Sequence, residues 1–314
     1  MMIFLDFEKP VAALEARILE LQAAAQESDV DADAEIAKLR GKADKQLADT
    51  YANLTAWQKT QVARHPERPH FKHYIASMFE DFMPLAGDRA FGDDQAIIGG
   101  LARLHGRRVM VIGHEKGDDT QSRIRHNFGM GKPEGYRKAI RLMELADRFG
   151  IPVVSLVDTS GAFPGIQAEE RGQAEAIARS TEACLALGVP MIACIVGEGG
   201  SGGAVALAAA DRVLMFQYAV YSVISPEGCA SILWRTGDKA ADAAQAMKMT
   251  ADDLKSLRII DRIVKEPVGG AHRDHALAAA TLASAIDEEL EALSAFSAKE
   301  LVQQRRAKFL SMGA

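Results

Sequence analysis

Apolar residues recur at helical spacing from the start of the chain. Leu14, Ile18 and Leu21 share one face behind Pro10, which suits a first helical turn, until the polar stretch Ser28-Asp29-Val30-Asp31 interrupts the pattern. Ile36, Leu39, Leu47, Tyr51, Leu54 and Trp57 form a second, looser stripe, so residues 1–62 are predicted to make a helical hairpin whose apolar face needs a partner surface. Pro66 and Pro69 stiffen the segment that follows, because each proline removes a donor and biases its predecessor away from helix. The boundary is therefore placed there, with residues 63–314 as the main domain.

Beyond the prolines the pattern alternates between extended and helical. Strands are predicted at 108–112, 153–157, 191–196 and 212–216, and helices at 134–149 and 169–187. Gly150 and Gly188 stand where helices end, and Pro152 and Pro190 forbid continuation. This βαβ rhythm predicts an α/β fold with a mostly parallel sheet, whose ligands bind at the C-terminal ends of the strands. A final Ala-rich stretch, 275–309, reads as one long helix.

Charge and composition narrow the function. The 43 acidic and 37 basic residues give a net charge of -6, which offers neither a nucleic-acid footprint nor a polybasic membrane patch. No apolar run reaches the roughly 18 residues a membrane span needs, and Met1 to Asp6 lacks a basic leader, so a cytoplasmic protein is expected. Cys184, Cys194 and Cys229 are widely spaced with no CxxC pair, as suits reduced thiols rather than a metal site.

Two loops follow predicted strand ends. The first, from Asp158 through Gly161, Ala162, Phe163 and Pro164 to Gly165, is stiffened by its proline. The second, Gly197-Glu198-Gly199-Gly200-Ser201-Gly202-Gly203-Ala204, places five glycines in eight residues, which requires bare, closely approached backbone. It matches three patterns. Gly197, Gly199 and Gly202 spell a dinucleotide fingerprint, but no acidic residue ends the following strand. Gly199, Ser201 and Gly203 spell a nucleophile elbow, with Asp261 and His272 following in hydrolase order. The third reading is an oxyanion hole made by the backbone N–H groups of Gly202 and Gly203 at a helix N-terminus. A further segment, Ser225-Pro226-Glu227-Gly228, is expected to wall the same pocket, with Glu227 either a general base or a complement to a helix dipole.

These segments, with Gly87-Asp88-Arg89, Asp93-Asp94, Asn127-Phe128-Gly129-Met130, Pro133 to Lys138, Ala168 to Gln173 and Gly269-Gly270-Ala271-His272, resemble the alpha subunit of the multisubunit acetyl-CoA carboxylase carboxyltransferase. The likeness runs from about residue 64 to residue 274 in family order. It implies a crotonase-like β-β-α superhelix and a carboxyltransferase that moves a carboxyl group from carboxybiotin to acetyl-CoA. The product is malonyl-CoA, at the committed step of fatty acid biosynthesis.

Gly202 and Gly203 would then be the biotin oxyanion hole. Gly161, Ala162, Phe163, Gly165, Gly199, Gly200, Ser201, Ser225, Pro226, Glu227 and Gly228 would shape the surrounding pocket. The resemblance also implies the partners: a zinc-ribbon beta subunit in an alpha-two beta-two assembly, the biotin carboxyl carrier protein, and the biotin carboxylase that consumes ATP. No metal is expected on this chain. Two alternatives remain open at this point, a stand-alone crotonase-type acyl-CoA hydratase or decarboxylase and a GxSxG serine hydrolase.

Overall fold

The structure, a computed structural model, describes residues 3–27 and 32–313. The polar break at 28–31 lies outside the described residues. On either side of it, α1 (Lys9–Glu27) and α2 (Asp33–Ala52) pack together. The second apolar stripe does not continue to Trp57 on one helix, because Thr55 starts a separate helix, α3 (Ala56–Ala63). Gln58 N–H donates to the Thr55 hydroxyl at 3.3 Å, and the Gln58 side chain accepts from Thr55 N–H at 2.8 Å. Val11, Leu47, Tyr51 and Val62 bury themselves against Tyr218 of the main body. Beneath them the buried Glu8 carboxylate accepts from Tyr51 Oη at 3.0 Å and Arg273 at 3.1 Å.

After α4 (Phe71–Met78), the strands β1 (Glu80–Pro84), β2 (Ile97–Leu104) and β3 (Arg107–His114) form an antiparallel ribbon. The strands predicted from sequence include neither β1 nor β2, and β2 carries Gly99 and Gly100 in its middle. Gly100 is bare for want of space: a Cβ there would lie 2.1 Å from the Met83 carbonyl oxygen of the neighbouring strand. The helices α5 (Thr120–Arg125) and α6 (Pro133–Arg148) follow, and then β4 (Val153–Thr159), which joins β3 in parallel. In α6, Tyr136, Ala139, Leu142, Met143 and Ala146 form one buried face. The helix ends as predicted, with Gly150 at φ +64° and Ile151 N–H donating to the Ala146 carbonyl.

The single helix predicted at 169–187 is two, α7 (Ile166–Glu170) and α8 (Gln173–Ala186), separated by Gly172 at φ +81°. The next strand, β5 (Met191–Gly200), is buried along its whole length and runs four residues beyond the predicted end. Much of the glycine segment is therefore strand rather than loop. The chain then passes through α9 (Ser201–Ala208), β6 (Arg212–Phe216), β7 (Val220–Ser222), α10 (Pro226–Trp234), α11 (Ala240–Ala246), α12 (Ala251–Ser256) and β8 (Arg262–Val264). The sheet order is β1-β2-β3-β4-β5-β6-β8, parallel from β3 onward, with the short β7 pairing alongside the end of β5.

The predicted long terminal helix is also two, α13 (His275–Leu293) and α14 (Ala298–Leu310). A capping box explains the break: Ser297 Oγ accepts from Glu300 N–H, and the Glu300 carboxylate accepts from Ser297 N–H at 2.8 Å. From α14, the buried Arg305 reaches Asp211 at 2.7 Å and the Leu187 carbonyl at 2.7 Å, which fastens the entries of β5 and β6.

Candidate active site

The site lies where the C-terminal ends of β4 and β5 meet. Thr159 pairs with Gly199 on one side, while Tyr221 and Ser222 of β7 pair with Gly199 and Gly200 on the other. At three of its glycines this backbone has no room for a side chain. A Cβ on Gly197 would lie 2.4 Å from Asp158 Oδ1, one on Gly200 2.2 Å from the Ser160 carbonyl oxygen, and one on Gly203 2.6 Å from the Gly161 carbonyl carbon. Gly202 differs, since its Cβ would make an ordinary contact at 3.4 Å with Ile177.

Ser201 turns the chain from strand into helix with φ +51°. For a non-glycine residue that costs roughly 1–2 kcal/mol. The turn sets the first-turn N–H groups of α9, those of Gly202 and Gly203 among them, without intrahelical partners at the positive end of the helix dipole.

Charged side chains gather beside this helix end around a cleft of about 240 Å³ lined by Arg64, His70, Lys116, Arg123, Asp158 and Glu198, among others. Asp158 is buried, with Lys116 Nζ at 2.6 Å, His70 Nδ1 at 3.6 Å, and Glu198 N–H donating to it at 2.9 Å. Burial alone would raise its pKa, but the Lys116 and His70 contacts outweigh that and hold the carboxyl well below the ordinary range. It is a fixed anion.

Arg64 ties two of the candidate segments together, donating to Glu198 at 2.5 Å and to Glu227 at 2.6 Å. Burial pushes the Glu227 carboxyl up, yet the Arg64 hydrogen bond and charge keep it below its usual value, so Glu227 is a paired carboxylate rather than a poised base. Behind the cleft, burial brings the His114 imidazole down to about 4, so it is neutral at neutral pH. Among the described residues the Arg123 side chain donates one hydrogen bond, to the Gly117 carbonyl at 3.3 Å, and no carboxylate pairs with it.

The predicted residues fall into distinct places. Gly161 and Ala162 carry the backbone against which Gly203 packs. Phe163 does not line the cleft: its ring folds over Gly165, whose Cβ would lie 2.3 Å away, and Lys132 Nζ sits 5.0 Å from its centroid. Gln173 pins that turn by donating to the carbonyls of Gly131 and Phe163 at 2.9 and 3.0 Å. Ser225 caps α10 by accepting from Gly228 N–H at 3.1 Å, with Pro226 in the first turn. The sequence reading missed Arg64, His70, Lys116 and Arg123. They are scattered along the chain before the glycine segments, and only the fold brings them to the cleft.

The hydrolase triad does not assemble. Asp261 accepts from Val213 N–H at 2.7 Å at the entry of β6, the opposite end of the sheet from Ser201, and is paired with Lys308. His272 stacks on His65 at 3.8 Å. Among the described residues, no three or more His, Cys, Asp or Glu side chains are arranged to hold a metal ion, and no helix is long and apolar enough to cross a membrane.

Comparison with known proteins decides among the remaining readings. A family model described as acetyl co-enzyme A carboxylase carboxyltransferase-like matches residues 4–313. The chain belongs to this carboxyltransferase family. It is 73% identical over 313 residues to the acetyl-coenzyme A carboxylase carboxyl transferase subunit alpha of Rhizorhabdus wittichii, covering 100% of both chains. It is 71% identical over 310 residues to the subunit of the same name from Sphingopyxis alaskensis, covering 99% of this chain and 98% of the relative. Membership makes the chain part of a carboxyltransferase enzyme of fatty acid biosynthesis.

Solved structures agree on the crotonase-like fold. Transcarboxylase 12S aligns at a TM-score of 0.55 and 23% identity, over 69% of this chain and 42% of that longer one. The beta subunit of P. aeruginosa geranyl-CoA carboxylase aligns at 0.56 and 16%, over 83% and 47%.

Proposed function

We propose that this chain is the biotin-receiving half of a two-chain carboxyltransferase, and that the start of α9 is its oxyanion hole. The supporting observation is the backbone at Gly200 and Gly203, held by contacts only glycine allows against Ser160 to Ala162, so that first-turn N–H groups of α9 without intrahelical partners sit at the strand ends beside the cleft. Carboxybiotin, brought on its carrier protein, would supply the carboxyl group that ends on acetyl-CoA as malonyl-CoA. The N–H groups of Gly202 and Gly203 stabilise the oxygen that becomes negative as that group leaves. One such donor is typically worth on the order of a hundredfold in rate, about 3 kcal/mol.

The surrounding charges suit this role. Lys116 pairs with Asp158 and Arg64 is shared between Glu198 and Glu227, while Arg123, with no carboxylate partner among the described residues, is placed to meet an incoming anion. Neutral His114 and ionised Glu227 do not compete for the proton chemistry. The acyl-CoA end of the site is assigned to a zinc-ribbon beta subunit, and ATP use to the biotin carboxylase component. The test is malonyl-CoA decarboxylation with biocytin, by this chain alone and mixed with a cognate beta subunit. Turnover in the mixture alone is expected. Turnover by the isolated chain would instead mark a self-sufficient acyl-CoA enzyme.

A further inference from the structure

Phe128 is not explained by packing. It is 50% exposed and stands outside the buried core, on the rim of the active-site cleft with Arg123 and Lys116. Its backbone is left-handed, and so are both of its neighbours: Asn127 has φ +46°, Phe128 +55° and Gly129 +80°. Asparagine and glycine accept that conformation readily, whereas a phenylalanine does not.

The turn is nevertheless firmly held. Met130 N–H donates to the Asn127 carbonyl at 2.9 Å, Gly129 N–H to the His126 carbonyl at 2.9 Å, and His126 Nδ1 lies 2.6 Å from the Gln95 carbonyl. Gly129 is wedged against the site itself, since a Cβ there would lie 2.9 Å from the Asp158 carbonyl oxygen. Backbone strain that the surroundings enforce, spent on exposing an aromatic ring beside reactive groups, marks a ligand contact.

We propose that Phe128 is a binding and specificity residue, a wall on which the planar ureido ring of the carboxylated biotin lies, with the Arg123 guanidinium, which has no carboxylate partner among the described residues, facing its carboxylate. This rests on the functional reading above. An aromatic face beside a cation matches a planar ring whose edge carries one negative charge.

Two variants test it in the assembled enzyme, Phe128→Asn and Phe128→Leu. Asparagine removes the ring and suits the left-handed turn; leucine removes the ring but keeps the strain. Both should raise KM for biocytin by about three- to tenfold, the worth of one stacked ring. KM for malonyl-CoA should not change, and kcat should stay within twofold. Phe128→Asn alone should raise the melting temperature of the chain, by about 2 °C.

A purely structural Phe128 would instead lower the melting temperature and depress kcat in both variants, which overturns the proposal. An unchanged KM for biocytin with weaker assembly of the two subunits would assign the ring to the partner interface and also overturn it. Absence of biocytin-dependent turnover in the wild-type mixture sinks the underlying reading, and is distinguishable because it precedes any substitution.

Discussion

Gly202 and Gly203 are neighbours in sequence and share the proposed role, yet their surroundings predict opposite responses to one added methyl group. At Gly203 the new carbon would sit 2.6 Å from the carbonyl carbon of Gly161 and 2.9 Å from the Ala162 nitrogen. Both are backbone atoms of a turn pinned by Gln173, so neither yields cheaply. Overpacking of this kind costs about 1–3 kcal/mol, and relieving it pushes the first turn of α9 away from the oxygen it must meet. Gly203→Ala should therefore lose on the order of a hundredfold in carboxyl transfer as well as stability.

At Gly202 the methyl meets Ile177 at 3.4 Å, an ordinary contact, and alanine in a helix gains about 0.5–1 kcal/mol over glycine. Since the N–H is retained, Gly202→Ala should melt no lower than wild type and keep activity within about threefold, as one mixed-subunit assay and one thermal scan would register. Equal tolerance at both positions would refute the account of the glycine segment as close-packed backbone.

Two further perturbations follow from buried polar groups. His114 titrates near 4 in the fold against 6.5 unfolded, because burial disfavours its cation. The unfolded chain thus binds the extra proton first, and stability falls as pH drops below 6.5. The loss is about 2 kcal/mol between pH 7 and 5, and His114→Gln should flatten that part of a denaturation-against-pH curve. Arg305, at 1% exposure, satisfies Asp211 and the carbonyls of Cys184, Leu187 and Val189. Arg305→Met strands a buried carboxylate and should cost about 3–5 kcal/mol in urea unfolding, while leaving kcat of the folded fraction unchanged because α14 lies at the far end of the strands.

Much of the parallel sheet was legible because buried parallel strands are continuous apolar runs: β6 falls where the pattern puts it, and β4 and β5 begin there. The end of β5 was not, because glycine reads as loop in a sequence whether it bends the chain or lets a neighbouring strand pass. Gly99, Gly100, Gly199 and Gly200 are all strand residues. The breaks within the long helices were readable in principle from Gly172 and from Ser297 with Glu300, but alanine-rich flanks masked them. The glycine segments were found from sequence because they are local. The ion pairs were not, since Arg64 and Glu227 are 163 residues apart and no periodicity connects them.

That division also explains how the site can be both charged and receptive. Each local segment carries an acid that would repel an anionic substrate: Asp158 in the first, Glu198 in the second, Glu227 in the third. Cations from elsewhere in the chain pair with all three, Lys116 with one and Arg64 with the other two, which brings three negative charges down to one. Beside that residual charge stand Arg123, on the cleft lining, and the positive end of a helix dipole. The glycines supply donors without adding charge, and the long-range pairs offset most of the charge that the local segments bring. Stabilising a developing oxyanion requires both conditions at once.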